Sequence, residues 1–122
     1  MDCLFCKIIN GDIPSYTLYE DDDVLCFLDI NPLSKGHTLV IPKKHYKDIN
    51  DIPLEELNSI NDASKKIVKL LTNTYKPNGI KLIQNNGSVQ EIKHYHLHII
   101  PVYNRNKKVE VSVVYNELKK NC

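Results

Sequence analysis

The chain has 122 residues, a formal net charge of +1 and four cysteines. That length suits one domain with a modest core and is too short for two, the balanced charge gives no support to a nucleic-acid or membrane-surface partner, and no apolar run approaches the ~20 residues that a bilayer span needs. The opening "MDCLFCKIINGD" carries acids early and no basic leader, so a cytoplasmic location is expected, and there four cysteines do not read as a disulfide framework.

Taken in chain order, "CLFCKIING" predicts a short helix stopped by Gly11, with Pro14 soon after. "YTLYED" and "VLCFLDI" read as two strands separated by the acidic turn Asp21 to Asp23. "NPLSKGH" is a turn or loop, and "HTLVIP" is a third strand ended by Pro42. From Pro53 to Tyr75 the period becomes helical: Leu57, Ile60, Ser64, Ile67, Val68, Leu71 and Tyr75 share one face. "KPNG" breaks this helix. "IKLIQN" is a fourth strand, "NGSVQ" a loop and "KHYHLHIIP" a fifth strand, after which the tail from Arg105 is basic and "VEVSVVY" reads as one more strand. Three strands, a long helix and two strands make an α+β plan with an antiparallel sheet.

The fifth strand carries three of the chain's five histidines, in "HYHLHII". Successive strand side chains point to opposite faces. His94, His96 and His98 therefore share one face, while Tyr95, Leu97 and Ile99 share the other, which is free to pack under the long helix. The histidine face must look into a cleft or solvent. Neighbouring histidines there are about 6.6 Å apart at Cα, a row suited to surrounding one small anionic group. Three readings compete: a wet strand face, a metal site with three His ligands and a water, or covalent catalysis by a neutral imidazole whose neighbours hold its tautomer.

Three further signals stand beside the triad. Cys3 and Cys6 have the spacing of half a zinc site; His45 is a free candidate for a third ligand, and one triad histidine would complete the set. Two ordinary buried thiols are the alternative, since the βαβ setting of a redox pair is absent. In "DINPLSKGH", Asp29 ends a strand, where an acid is commonly a turn former but also a good acceptor for a pair of sugar hydroxyls. "QNNGSVQ" is a polar Gly loop whose amides and backbone donors suit phosphate oxygens.

These residues together resemble the histidine triad family, whose signature alternates three histidines with apolar positions. The likeness runs from "CLFCKIINGDIPS" through "VLCFLDINP", "GHTLVIPKKH" and "NNG" to "HLHIIP", and the CxxC form is most similar to the small bacterial-type members. The resemblance implies an α+β fold, a HIT-like antiparallel half-barrel sheet of about five strands with one long helix and a short N-terminal helix, spanning residues 1–122 as a single domain whose tail from about residue 104 is variable. It implies a homodimer built by joining two sheets. It also implies hydrolysis or transfer at the α-phosphate of purine nucleotide conjugates, phosphoramidates or dinucleoside polyphosphates, through a nucleotidyl-histidine intermediate. The alternative is a nucleotide-binding regulatory or scaffold protein with little turnover.

Carried over by position, His96 resembles the nucleophile, His98 the phosphate-binding histidine and His94 the orienting one. His37 would also approach the phosphate. Asp29 resembles the ribose acceptor and Leu28 and Ile30 the base pocket, while Asn85 matches an active-site amide and Gln90 the amide near the leaving group. The ligands of a structural zinc would be Cys3, Cys6, His45 and His94. The chain departs from the family pattern on the leaving-group side. "NNGSVQ" is about two residues short, Val89 replaces a glycine, Val102 an arginine, and Glu91 stands where some branches have Ser or Thr. A carboxylate at Glu91 is expected to disfavour a polyphosphate leaving group relative to an amine.

Overall fold

Asp21 closes the first hairpin, its carboxylate accepting the N–H groups of Asp23 and Val24 at 2.8 and 2.9 Å and the Tyr19 hydroxyl at 2.8 Å, an Asx-type turn. It joins β1 (Thr17–Glu20) to β2 (Val24–Leu28), and β3 (Thr38–Pro42) follows. The computed structural model describes residues 3–105 and 107–122; the first two residues of the opening segment and Asn106 of the basic tail lie outside them. The remaining elements are α1 (Leu4–Ile9), α2 (Leu54–Tyr75), β4 (Gly79–Gln84), a 3-10 turn (Gly87–Val89), β5 (Leu97–Val102) and α3 (Val111–Lys119). The strands form one antiparallel sheet in the order β1-β2-β3-β5-β4. Among the described residues, no helix is long and apolar enough to cross a membrane.

The central strands are covered on both faces, and the period of two sorts their side chains. Val24, Cys26, Leu28, Val40, Leu97 and Ile99 pack with Ile60, Ala63, Ile67 and Leu71 of α2. Leu25, Phe27, Leu39 and Ile41 point the other way and pack with Phe5 of α1. Hence "VLCFL" and "TLVIP" read as unbroken apolar runs. The helical face runs along α2 as its spacing predicts, with Ala63 added and Leu57, Val68 and Tyr75 at its half-buried margin. Ser64 is buried in that face because its hydroxyl donates to the Ile60 carbonyl at 2.7 Å. Each fully buried Ile or Leu here stabilises the fold by about 1.5–3 kcal/mol. Lys76, in the left-handed conformation at φ 48°, ends the helix.

Two elements differ from the sequence reading. "VEVSVVY" is not a strand. Its β-branched residues favour extended chain, but Val111, Val114, Tyr115 and Leu118 also fall at i, i+3, i+4 and i+7. As a helix, α3 buries Val114 and Leu118 in the main core, so tertiary burial overrides local preference. The fifth strand is also shorter than expected, beginning at Leu97 rather than Lys93. Val40 pairs with Leu97, so the next residues outward meet Ile41 and Pro42, and Pro42 has no N–H to continue the ladder.

Candidate active site and metal cluster

The short strand splits the histidine row. Tyr95, Leu97 and Ile99 pack under α2 as the alternation predicts, but the three histidines do not surround one group. His94 turns to the cysteines of α1, His98 pairs with His37, and His96 lies between them.

His96 immediately precedes β5 and is nearly fully buried. Its Nδ1 lies 2.8 Å from the His94 carbonyl oxygen. A carbonyl only accepts, so Nδ1 carries the proton and the Nε2 lone pair is free. Phe5 stands edge-on to the ring at 5.1 Å and His98 at 4.9 Å, which fixes its plane. His96 and His98 line a cavity of about 360 Å³ with Phe5, Ile8, Leu28, Asp29 and Glu91 in its wall.

The second histidine pair is also ordered by one unambiguous donor. The Leu33 N–H donates to His37 Nδ1 at 3.0 Å. The proton of neutral His37 is therefore on Nε2, 3.0 Å from His98 Nδ1. His98 Nδ1 must accept, which leaves its own proton on Nε2. Asp29 Oδ2 lies 3.7 Å from His37 Nε2, beyond a hydrogen bond, and Oδ1 accepts the Asn31 N–H at 2.9 Å. Burial holds both His37 and His98 below the ordinary histidine value, with Asp29 acting against it in each and Glu91 also in His98. Both rings are thus neutral near pH 7, as the directional chain requires.

A larger cavity, about 630 Å³, opens on the other side of the Leu28–His37 segment. It shares Asp29, Ile30 and His37 with the first and is rimmed by Lys107 and Lys108, but holds neither His96 nor His98. His96 and His98 both line the smaller one.

Cys3, Cys6, His45 and His94 place four donor atoms within 4.8 Å of one another. Cys3 Sγ to His94 Nδ1 is 3.4 Å, Cys6 Sγ to His45 Nδ1 3.3 Å and Cys6 Sγ to His94 Nδ1 3.6 Å. A tetrahedral S₂N₂ site with Zn–S near 2.3 Å and Zn–N near 2.05 Å has S···N edges of about 3.6 Å, so the set is close to a metal cage. His94 is prepared for it: Nε2–H donates to the Pro42 carbonyl at 2.8 Å, which leaves the Nδ1 lone pair for the ion. Burial and the adjacent Cys3 push the Cys6 thiol up to about 11, a penalty that a cation among the sulfurs reverses. Asp29, His37 and His98 also converge within 4.8 Å, but this set does not fit a metal. Coordination through His37 Nε2 would move its proton onto Nδ1, against the Leu33 N–H.

Leu28 and Ile30 border both cavities, Leu28 buried and Ile30 on the rim. The structure does not bring Asn85 or Gln90 to either wall. The Asn85 carbonyl accepts from Gln84 Nε2 at 2.9 Å. The Gln90 side chain is buried and donates to the Lys47 carbonyl at 2.6 Å, while its Oε1 has no hydrogen-bond partner among the described residues. Phe5 and Ile8 carried no functional signal beyond their helix; their i, i+3 spacing, which puts both on the apolar face of α1, was the available clue. Glu91 sits on a bend before β5, in the cavity wall.

The HIT domain model matches residues 10–105. The chain is 48% identical over 119 residues to a HIT-like protein of Methanocaldococcus jannaschii, covering 96% of this chain and 89% of that one. It is 42% identical over 105 residues to the adenosine 5'-monophosphoramidase of Candida albicans, covering 81% of this chain and 69% of that one. The Zn-bound histidine triad family protein of Mycobacterium smegmatis superposes with a TM-score of 0.90 at 32% identity, over 99% of this chain and 93% of that chain.

Proposed function

The chain belongs to the HIT (histidine triad) domain family, and on that premise we propose that it is an enzyme of the phosphoramidase type, a nucleotidyl hydrolase or transferase cleaving purine nucleotide conjugates at the α-phosphate. Relatives at 42–44% identity are named adenosine 5'-monophosphoramidases. The observation that carries the reading is the His96 Nδ1 to His94 carbonyl bond at 2.8 Å, which holds the Nε2 lone pair free on a ring lining the cavity.

In this reading His96 Nε2 attacks the α-phosphorus. The N–P bond forms as the bond to the leaving group breaks, and the leaving amine or phosphate takes a proton from solvent, which the attacking water of the next step returns. Water then attacks the nucleotidyl-histidine, returning His96 and releasing the mononucleotide. The His98 N–H stabilises charge on the phosphoryl oxygens, as a pre-oriented donor does. Asp29 accepts from the ribose hydroxyls, Leu28 and Ile30 face the base, and His37 approaches the phosphate through His98.

The Cys3, Cys6, His45 and His94 set holds a structural zinc, which with four protein ligands has no position for water and ties α1 to the sheet. Because His94 also supplies the carbonyl that orients His96, this anchor stands directly behind the nucleophile. The exposed β4 edge, with Leu82 and Ile83 turned outward, is where a second copy would pair to form a homodimer. The compartment is the cytoplasm.

The test is rapid acid quench with labelled adenosine 5'-monophosphoramidate. The wild type should carry label on protein; His96→Ala should carry none and lose turnover while nucleotide affinity stays within a few-fold, because the pathway and not the binding surface is deleted. Near-normal turnover in His96→Ala would overturn the assignment. Binding with no label and no turnover in wild type would favour the regulatory alternative.

A further inference from the structure

The segment from Asn31 to Gly36 is poorly anchored by its own apolar residues: Leu33 is 71% exposed and Ile30, just before it, 70%. Polar contacts from the C-terminal end of β5 hold it instead. The Ser34 hydroxyl donates to the Pro101 carbonyl at 2.6 Å. The Tyr103 hydroxyl donates to the Lys35 carbonyl at 2.7 Å. The Lys35 ammonium lies 4.3 Å from the Tyr75 ring centroid and 5.2 Å from that of Tyr103. At Gly36, φ +91°, the chain is too close to Leu71 to accept a Cβ. Neither Ser34, Lys35 nor Tyr103 touches the smaller cavity.

What this clamp holds in place is the Leu33 N–H, the one donor in the His37–His98 pair whose direction is not free. With it, protons run Leu33 to His37 to His98, and His98 keeps an N–H on Nε2. Without it, only the Asp29 carboxylate, 3.7 Å from His37 Nε2, biases the pair: His37 can carry its proton on Nδ1 and accept at Nε2 from His98 Nδ1–H, leaving a lone pair on His98 Nε2. A lone pair there would repel a phosphoryl oxygen where an N–H attracts it.

We propose that Ser34 and Tyr103 are positioning residues that clamp the 33–37 segment onto the end of β5, and so fix the proton of His98 on the nitrogen that serves the phosphate. Its consequence for turnover rests on the nucleotidyl reading above; its consequence for the tautomer does not. The same strand that carries His98 carries Pro101 and leads into Tyr103, so the clamp and the phosphate-facing histidine share one element.

The test is a long-range ¹H–¹⁵N correlation spectrum of the zinc-loaded, histidine-labelled protein, paired with steady-state kinetics on adenosine 5'-monophosphoramidate. Wild type should show His98 protonated on Nε2 alone. Tyr103→Phe, which keeps the ring under Lys35, and Ser34→Ala should each show a mixture of His98 tautomers. They should lower kcat by about five- to tenfold, the factor that one net hydrogen bond corresponds to, with KM within about twofold. Ser34→Thr, which keeps the hydroxyl, should restore both readouts. Unchanged His98 tautomers in Tyr103→Phe and Ser34→Ala would overturn the proposal, even if kcat fell, since a merely structural role would do that. If wild type fails to turn over the phosphoramidate while the tautomers shift as described, the clamp stands and the nucleotidyl reading falls.

Discussion

Replacing Gly36 by alanine should destabilise the protein by about 2–4 kcal/mol, the sum of two separable costs. The first is conformational. Gly36 sits at φ +91°, where a side chain costs about 1 kcal/mol. The second is steric. A Cβ at this position would lie 2.7 Å from Leu71 Cδ2, well inside van der Waals contact. Leu71 is fully buried in the main core, and overpacking of a buried side chain costs about 1–3 kcal/mol. Gly11 supplies the control. It has φ +82° but nothing within 4 Å of a built Cβ, so Gly11→Ala isolates the conformational cost at about 1 kcal/mol. Urea unfolding of the zinc-loaded variants, fitted with a common m value, gives the difference directly. Thermal midpoints should separate by several degrees in the same order. Equal losses in the two variants would show that Leu71 yields, and that the 33–37 segment is not pressed onto α2 as described.

Protein purified without chelator should contain one zinc per chain. Chelation or Cys3→Ser should lower the thermal midpoint, because metal affinity in a site absent from the unfolded chain is folding free energy; a metal-free preparation, or an unmoved midpoint, would count against the cage. Glu91 lies in the cavity wall with its charge felt at His98, and a carboxylate opposes each charge of a polyphosphate by about 1 kcal/mol in water-like surroundings. The wild-type ratio of kcat/KM should therefore favour phosphoramidates over dinucleoside polyphosphates, and Glu91→Ser should narrow it by improving the polyphosphate; an unchanged ratio would show that Glu91 does not face the leaving group. His37 and His98 are depressed from the usual 6.5 by burial, so they contribute stability that is complete above that value and lost as pH falls through their lower folded values. Unfolding free energy should decline as pH falls below the usual histidine value, and less steeply in His98→Gln; identical slopes would place the acid sensitivity elsewhere.

Period and punctuation carried most of the architecture. The switch from twofold to helical spacing at Pro53 marked α2, and Asp21, Pro42 and the "KPNG" stop marked where elements end. The alternation in "HYHLHII" separated three imidazoles from Tyr95, Leu97 and Ile99, which pack under α2, although His94 lies on a bend and only His98 of the three is in the strand. The CxxC spacing likewise named half of a metal cage whose partners lie far away in sequence.

Other features had no local signature. "VEVSVVY" satisfies both periods, and only the core offered by α2 and β1 selects the helix. Gln90 looks like a ligand amide in sequence, yet its side chain is turned to the Lys47 carbonyl, a partner set by how two loops meet. Above all, the sequence determined that histidines would line up, but not which proton each would carry. That depends on a backbone N–H at Leu33 and carbonyls at Pro42 and His94. Main-chain groups are the same at every residue, so only the tertiary path of the chain decides which imidazole nitrogen each one meets.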